Sequence, residues 1–135
     1  MIQRYTLMAG KIRSGERVSL FDQLGGEPGV SAIADDFYDR ISTDDLLGKW
    51  FVDVNGAGIR FHLRAYLTVA LGGPEEYSGR SLRVAHQGLR ISVEAWNRML
   101  VLLAESFRSG AVDDRLNSEV IAIISTLRAV IVEVR

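Results

Sequence analysis

Between Ile59 and Gly88 the chain carries its only two histidines, His62 and His86, on either side of Gly72-Gly73-Pro74. That triplet is the strongest punctuation in the sequence, because a glycine pair ends a helix and proline cannot continue one. Ahead of it, Ile59, Leu63, Tyr66, Leu67 and Ala70 recur at helical spacing and make one broad apolar stripe. At about 100° per residue, His62 falls at the edge of that stripe. Behind it, Glu75 to Arg80 reads as a polar loop, and Ser81 to His86 leaves room for little more than one helical turn before Gly88. The two imidazoles therefore lie on separate elements joined by a glycine-rich hinge.

The remaining chain reads as helix throughout. Ser19 caps a short turn over Leu20-Phe21-Asp22-Gln23-Leu24, which Gly25-Gly26 stops. Pro28 suits the first position of the following helix, where its missing N–H would be unpaired in any case. Val30, Ile33, Phe37 and Ile41, with Ala34 and Tyr38, predict an amphipathic helix to about Ser42, with Asp35, Asp36, Asp39 and Arg40 mostly on its wet face. Thr43-Asp44-Asp45 ends it, and Leu46 to Phe51 forms an aromatic corner. Asn55-Gly56-Ala57-Gly58 opens the histidine-bearing helix. Ser92 caps a helix with a seam of Val93, Trp96, Leu100, Leu103 and Phe107, stopped at Ser109-Gly110. Asp113-Asp114 opens a last helix predicted to run through Leu116, Val120, Ile123, Ile124, Leu127, Val130 and Ile131 to Val134. No alternating strand pattern and no internal repeat is found, so the expected class is all-α, with four substantial helices and two very short ones.

Composition removes several kinds of chemistry. The 135 residues suit one domain and include no cysteine, which excludes disulfides, thiolate metal sites and cysteine nucleophiles. A net charge of −1 gives no electrostatic case for nucleic acid. No apolar run reaches the roughly 18 residues of a membrane span. Residues 1–18, with Arg4, Lys11, Arg13 and Arg17, form a mildly basic extension, loosely attached or folded as a short helix. Residues 19–135 form the domain. Lacking a signal-peptide pattern, the protein is expected in the cytoplasm. No nucleophile elbow, phosphate loop, metalloprotease helix or paired carboxylates are found. What remains are the histidines and the aromatic residues around Tyr38 and Trp50-Phe51. Taken singly, each histidine reads as a solvated or hydrogen-bonded residue and Phe37-Tyr38 as core; taken together they could flank a planar metal cofactor.

Five short patterns, in order, resemble the truncated two-on-two haemoglobins, most closely their first group with its cyanobacterial and algal members. Leu20-Phe21-Asp22-Gln23-Leu24-Gly25-Gly26 is similar to the family's opening turn, and Asp36-Phe37-Tyr38-Asp39-Arg40 to its second helix. Trp50-Phe51-Val52-Asp53-Val54 resembles its corner, and Ala70 to Gly79 its second glycine motif and following loop. Val84-Ala85-His86 resembles the proximal-histidine segment. The likeness covers about Ser19 to Val134 and needs no gap between Phe37 and His86.

The resemblance implies a globin-like two-over-two helical sandwich with a short first helix and a near-absent proximal helix. It implies haem b, bound non-covalently, since the last helix has no histidine for the covalent attachment found in some cyanobacterial relatives. His86 would be the proximal iron ligand. Tyr38 would donate a hydrogen bond to a diatomic ligand on the distal side, and Phe37, Phe51, Leu67 and Met99 would supply apolar walls. Tyr77, Arg83 or Arg60 would meet the haem propionates. Two departures from the family pattern stand out. Ile59 and Leu63 occupy distal positions that often carry glutamine, leaving Tyr38 fewer polar companions. His62 occupies a position where some members have a histidine that also coordinates iron; here it would either do so or reach a propionate at the pocket rim.

The function implied is binding of dioxygen, nitric oxide or carbon monoxide at one iron by a monomeric protein. Oxygen transport and nitric oxide detoxification are both within that scope. Nitric oxide dioxygenation would need an external reductase, because no flavin or nicotinamide site is visible. Two other readings stay open: a bis-histidine haem protein for electron transfer or sensing, and a helical interaction module with no haem.

Overall fold

The computed structural model describes residues 12–13, 16–73 and 82–134. Seven α-helices are present among them: α1 Leu20–Gln23, α2 Gly26–Thr43, α3 Gly56–Ala70, α4 Leu82–His86, α5 Val93–Ser109, α6 Asp114–Ser125 and α7 Arg128–Ile131. A 3-10 helix, Gly48–Phe51, lies between α2 and α3. Two strands of two residues each, β1 Ile12–Arg13 and β2 Glu16–Arg17, pair antiparallel in the N-terminal extension, in place of the short helix considered above. Strands this short carry no alternation to read.

Local signals account for most boundaries. Ser19, Asn55, Ser92 and Asp113 each accept a hydrogen bond from the backbone N–H three residues on, satisfying an amide that the first helical turn leaves open. Pro28 is third in α2, not first, because the chain turns at Gly25 and Gly26, both at positive φ, and the helix begins at Gly26. Its missing N–H still falls within the unpaired first turn. At the end of α3, Gly72 has φ +82°, and Gly73 donates its N–H to Thr68 O at 2.8 Å. A Cβ at Gly73 would lie 2.8 Å from Phe21 Cδ1 and 2.9 Å from the Thr68 carbonyl oxygen, so no larger residue fits without displacing backbone. Phe21 N–H donates to Leu71 O at 2.9 Å, docking α1 on this turn.

Helix α2 packs on both α3 and α5, and α5 packs on α6, giving two helix pairs around one core. The predicted stripe of α2 is buried: Val30, Ile33, Ala34, Phe37, Tyr38 and Ile41. Its charged residues are not merely wet. Arg40 pairs with Asp36 and Glu105 and donates to Ser109 Oγ, linking α2 to α5. Asp35 and Asp39 face Arg60 and Arg64 of α3.

The last helix departs from expectation. It stops at Ser125 and resumes as α7, after which residues 132–134 run extended. Ser125 and Thr126 hydroxyls donate to the Ile121 and Ile123 carbonyls, side-chain bonds that compete with regular helix. The extended end then bonds elsewhere: Glu133 and Val134 N–H donate to Ile91 O, and Val93 N–H donates to Val134 O. Ile123, expected to face inward, is 39% exposed.

Asp44 terminates α2 and fixes the corner after it. Its carboxylate accepts the N–H groups of Leu46 and Leu47 at 3.1 and 3.2 Å and is gripped by Arg98 of α5 at 2.7 Å. The Arg98 hydrogen bond, helped by those amides, holds the Asp44 carboxyl below its ordinary value although burial opposes it. A depressed folded pKa means that this stabilisation is present above the unfolded-state pKa and is lost as pH falls through the folded one. Asp44→Ala should lower unfolding stability by about 1–3 kcal/mol at neutral pH. The difference from wild type should narrow below the ordinary aspartate range, in denaturant titrations repeated across pH.

Candidate functional site

His86 closes α4 and is half-buried. Its Nδ1 lies 2.8 Å from Leu82 O, one turn back along the same helix. A carbonyl oxygen only accepts, so Nδ1 carries the hydrogen, and in the neutral ring Nε2 keeps a lone pair. The same bond fixes the ring plane and makes Nε2 a better donor to a metal. Among the described residues no group of three or more His, Asp or Glu side chains could hold a bare metal ion. One oriented imidazole is instead the donor set that suits an iron whose other ligands come from a porphyrin.

Tyr38 is held on three sides. Its ring meets Phe51 edge-on, centroids 5.8 Å apart at 90°. The Arg60 guanidinium carbon lies 4.6 Å from its ring centroid, and a Cβ built at Gly56 would come within 3.0 Å of the hydroxyl oxygen. Any larger residue at the first position of α3 would push the phenol away by a few tenths of an ångström. No hydrogen bond to the hydroxyl is found among the described residues, so it has donor capacity to spare for a ligand.

Arg60 is spoken for. It donates to Asp35 O at 3.1 Å and to Asp39 Oδ1 at 2.5 Å, and the Asp39 bond raises its pKa above the usual arginine value. Its place is over the tyrosine, between α2 and α3. Of the other residues singled out, Phe37 and Leu67 are buried. Phe51, Ile59, Leu63 and Met99 are half-buried against the core. Arg83 is exposed, and Tyr77 lies outside the described residues. His62 is exposed on α3, its ring edge-on to Phe61 at 5.6 Å, and has no hydrogen bond among the described residues.

Three contacts of the site escaped the sequence reading. The Leu82 carbonyl was findable, since it lies one helical turn before His86. Trp50, whose indole N–H donates to Leu89 O at 2.8 Å, ties the aromatic corner to the segment after His86. Glu133 reaches the same segment from the far end of the chain, accepting the N–H groups of Gly88 and Arg90. No local pattern announces either of the last two.

Replacing Arg60 by methionine, which keeps bulk and removes charge, should loosen Tyr38. Its ring-flip rate, read by NMR on ring-labelled protein, should rise by about one order of magnitude, while helix content by circular dichroism stays unchanged.

Comparison with known proteins places these features in a family. A family model described as bacterial-like globin matches residues 19–133. A group 1 truncated haemoglobin from Nostoc sp. strain MUN 8820 is 33% identical over 88 residues, 65% of this chain and 75% of its own length. One from Synechocystis is 42% identical over 71 residues, covering 53% of this chain and 57% of its own length. The crystal structure of truncated haemoglobin from Tetrahymena pyriformis, Fe(III) form, superposes with a TM-score of 0.82 at 23% identity, over 85% of this chain and 98% of that one. The chain therefore belongs to the bacterial-like globins, has the two-over-two fold of the truncated haemoglobins, and comes from a family that binds gaseous ligands at haem.

Proposed function

We propose that this protein binds haem b non-covalently through His86 and takes dioxygen, nitric oxide or carbon monoxide beside Tyr38. The observation that carries the reading is the His86 ring, oriented by Leu82 O with Nε2 left as a lone-pair donor. Haem iron, when bound, supplies the open coordination position at which a diatomic ligand is taken. The chain's own residues supply the rest. His86 holds the cofactor from one side, and Phe51, Ile59, Leu63 and Leu67 offer it apolar surface. Tyr38 presents an unengaged hydroxyl whose orientation Phe51, Gly56 and Arg60 constrain. In an apolar pocket a neutral donor of this kind favours a ligand that accumulates negative charge, and dioxygen does so more than carbon monoxide.

Dioxygen binding is the core of the reading, and nitric oxide dioxygenation is its extension. That reaction consumes dioxygen and nitric oxide, yields nitrate, and draws one electron per turnover from an external reductase. A tyrosine that slows dioxygen release favours such chemistry over transport.

A second reading rests on His62. It is exposed, with no hydrogen bond among the described residues, so reaching an iron would cost it only its edge-on contact with Phe61 and a shift of α3. A bis-histidine haem made by His62 and His86 would serve electron transfer or sensing.

The absorption spectrum of the haem-reconstituted protein tests both readings. Haem uptake by wild type and its loss in His86→Ala are expected; no uptake by wild type refutes the first reading. Tyr38→Phe should speed dioxygen dissociation by about ten- to hundredfold and change carbon monoxide dissociation much less. Under the second reading the ferrous protein shows sharp low-spin bands and His62→Leu speeds ligand binding; a high-spin ferrous spectrum and an unchanged rate reject it.

A further inference from the structure

The short helix that carries His86 is followed by a turn with an unusual backbone. Gly88 and Arg90 both have positive φ, +84° and +58°, which turns their N–H groups toward one side. Amides brought to converge in this way, here on either side of Leu89, form a concavity that binds an anion. The anion is Glu133: its Oε2 accepts Gly88 N–H at 2.9 Å and its Oε1 accepts Arg90 N–H at 2.7 Å. Glu133 is held for this task by its own backbone, whose N–H donates to Ile91 O at 2.8 Å, beside the Ser92–Val134 bridge. On the opposite flank Trp50 donates to Leu89 O. Helix α4 itself packs on α7.

We propose that Glu133 is a positioning residue for the proximal ligand, acting through the Gly88 and Arg90 amides to hold His86 against displacement. The inference rests on the haem-binding reading above. Helix α4 has five residues, too few to keep a fixed direction by its own hydrogen bonds. Its orientation has to come from its packing on α7 and from its flanks. On the downstream flank three consecutive residues, Gly88, Leu89 and Arg90, are each gripped by a group from outside the segment, two of them by one carboxylate. Arg90 is not a glycine, so its left-handed backbone is strained and needs that compensation. Removing the carboxylate leaves two amides without their acceptor and lets the turn relax. His86, two residues away, then loses its fixed approach.

The test uses the full chain with Glu133→Ala and, as the conservative variant, Glu133→Gln, which keeps one acceptor oxygen. Amide hydrogen exchange in the haem-free proteins reads the clamp directly. Exchange at Gly88 and Arg90 should quicken by about tenfold in Glu133→Ala and by less in Glu133→Gln. The haem-loaded ferrous proteins are then treated with nitric oxide, which weakens the bond to the ligand opposite it. Wild type should remain six-coordinate by electron paramagnetic resonance. Glu133→Ala should turn mainly five-coordinate, its histidine released, and Glu133→Gln should lie between. A haem-loaded Glu133→Ala that stays six-coordinate overturns the positioning role, even if its amides exchange faster. Unchanged exchange overturns the clamp itself. A wild-type chain that takes up no haem removes the functional reading and this inference together, an outcome separable from the others because it precedes nitric oxide treatment.

Discussion

Helix α2 has to satisfy two neighbours at once, and the rest of the molecule is arranged around that demand. Its buried face, with Ala34 fully enclosed and Val30 nearly so, meets α3 on one side and α5 on the other. Small and branched side chains at these positions permit the close approach that efficient packing requires. The charged residues flanking the stripe then lock each approach in register: Arg40 toward α5, Asp35 and Asp39 toward α3. Half-exposed pairs of this kind add little stability singly. Their geometric effect is larger, because they fix the rotation of α2 and so decide which way Tyr38 points.

Electrostatics and shape therefore converge on the tyrosine. Arg60 bridges two helices as an ion-pair partner, and in doing so lays its guanidinium over the phenol. The packing of α2 on α3 and the setting of the Tyr38 hydroxyl are consequently one arrangement. A change made to strengthen the helix contact would be felt at the phenol, so stability and the orientation of Tyr38 should vary together in this protein.

The parts of the fold written in short-range chemistry were readable in advance. Caps at Ser19, Ser92 and Asp113 and the stop at Gly72-Gly73 act within three to five residues, so a linear sequence exposes them. The α2 stripe was readable because its period is local. What escaped depends on partners far apart in sequence. The extended end at 132–134 arises where the chain, after α7, exchanges helix for pairing with residues 91–93. Arg60 looked available for an outside charge until α2 took it. Two-residue strands have no period to detect. For the candidate site, His86 and Tyr38 were recognisable through a family pattern, whereas Trp50 and Glu133 contribute through bonds spanning 39, 43 and 45 positions.

Those long spans bear on the order in which the molecule can be assembled. Contacts between distant residues require the intervening chain to be ordered first, and they form slowly for that reason. Helices α2 and α3 can fold and associate from adjacent sequence, so the tyrosine side is built early. The histidine side closes only when Glu133 arrives, after α5, α6 and α7 are in place. On a ribosome, which delivers the chain from its N-terminus, the tyrosine side would stand before the histidine side could be fastened. A chain interrupted before residue 133 would retain most of its core and still lack the clamp on the turn that follows His86.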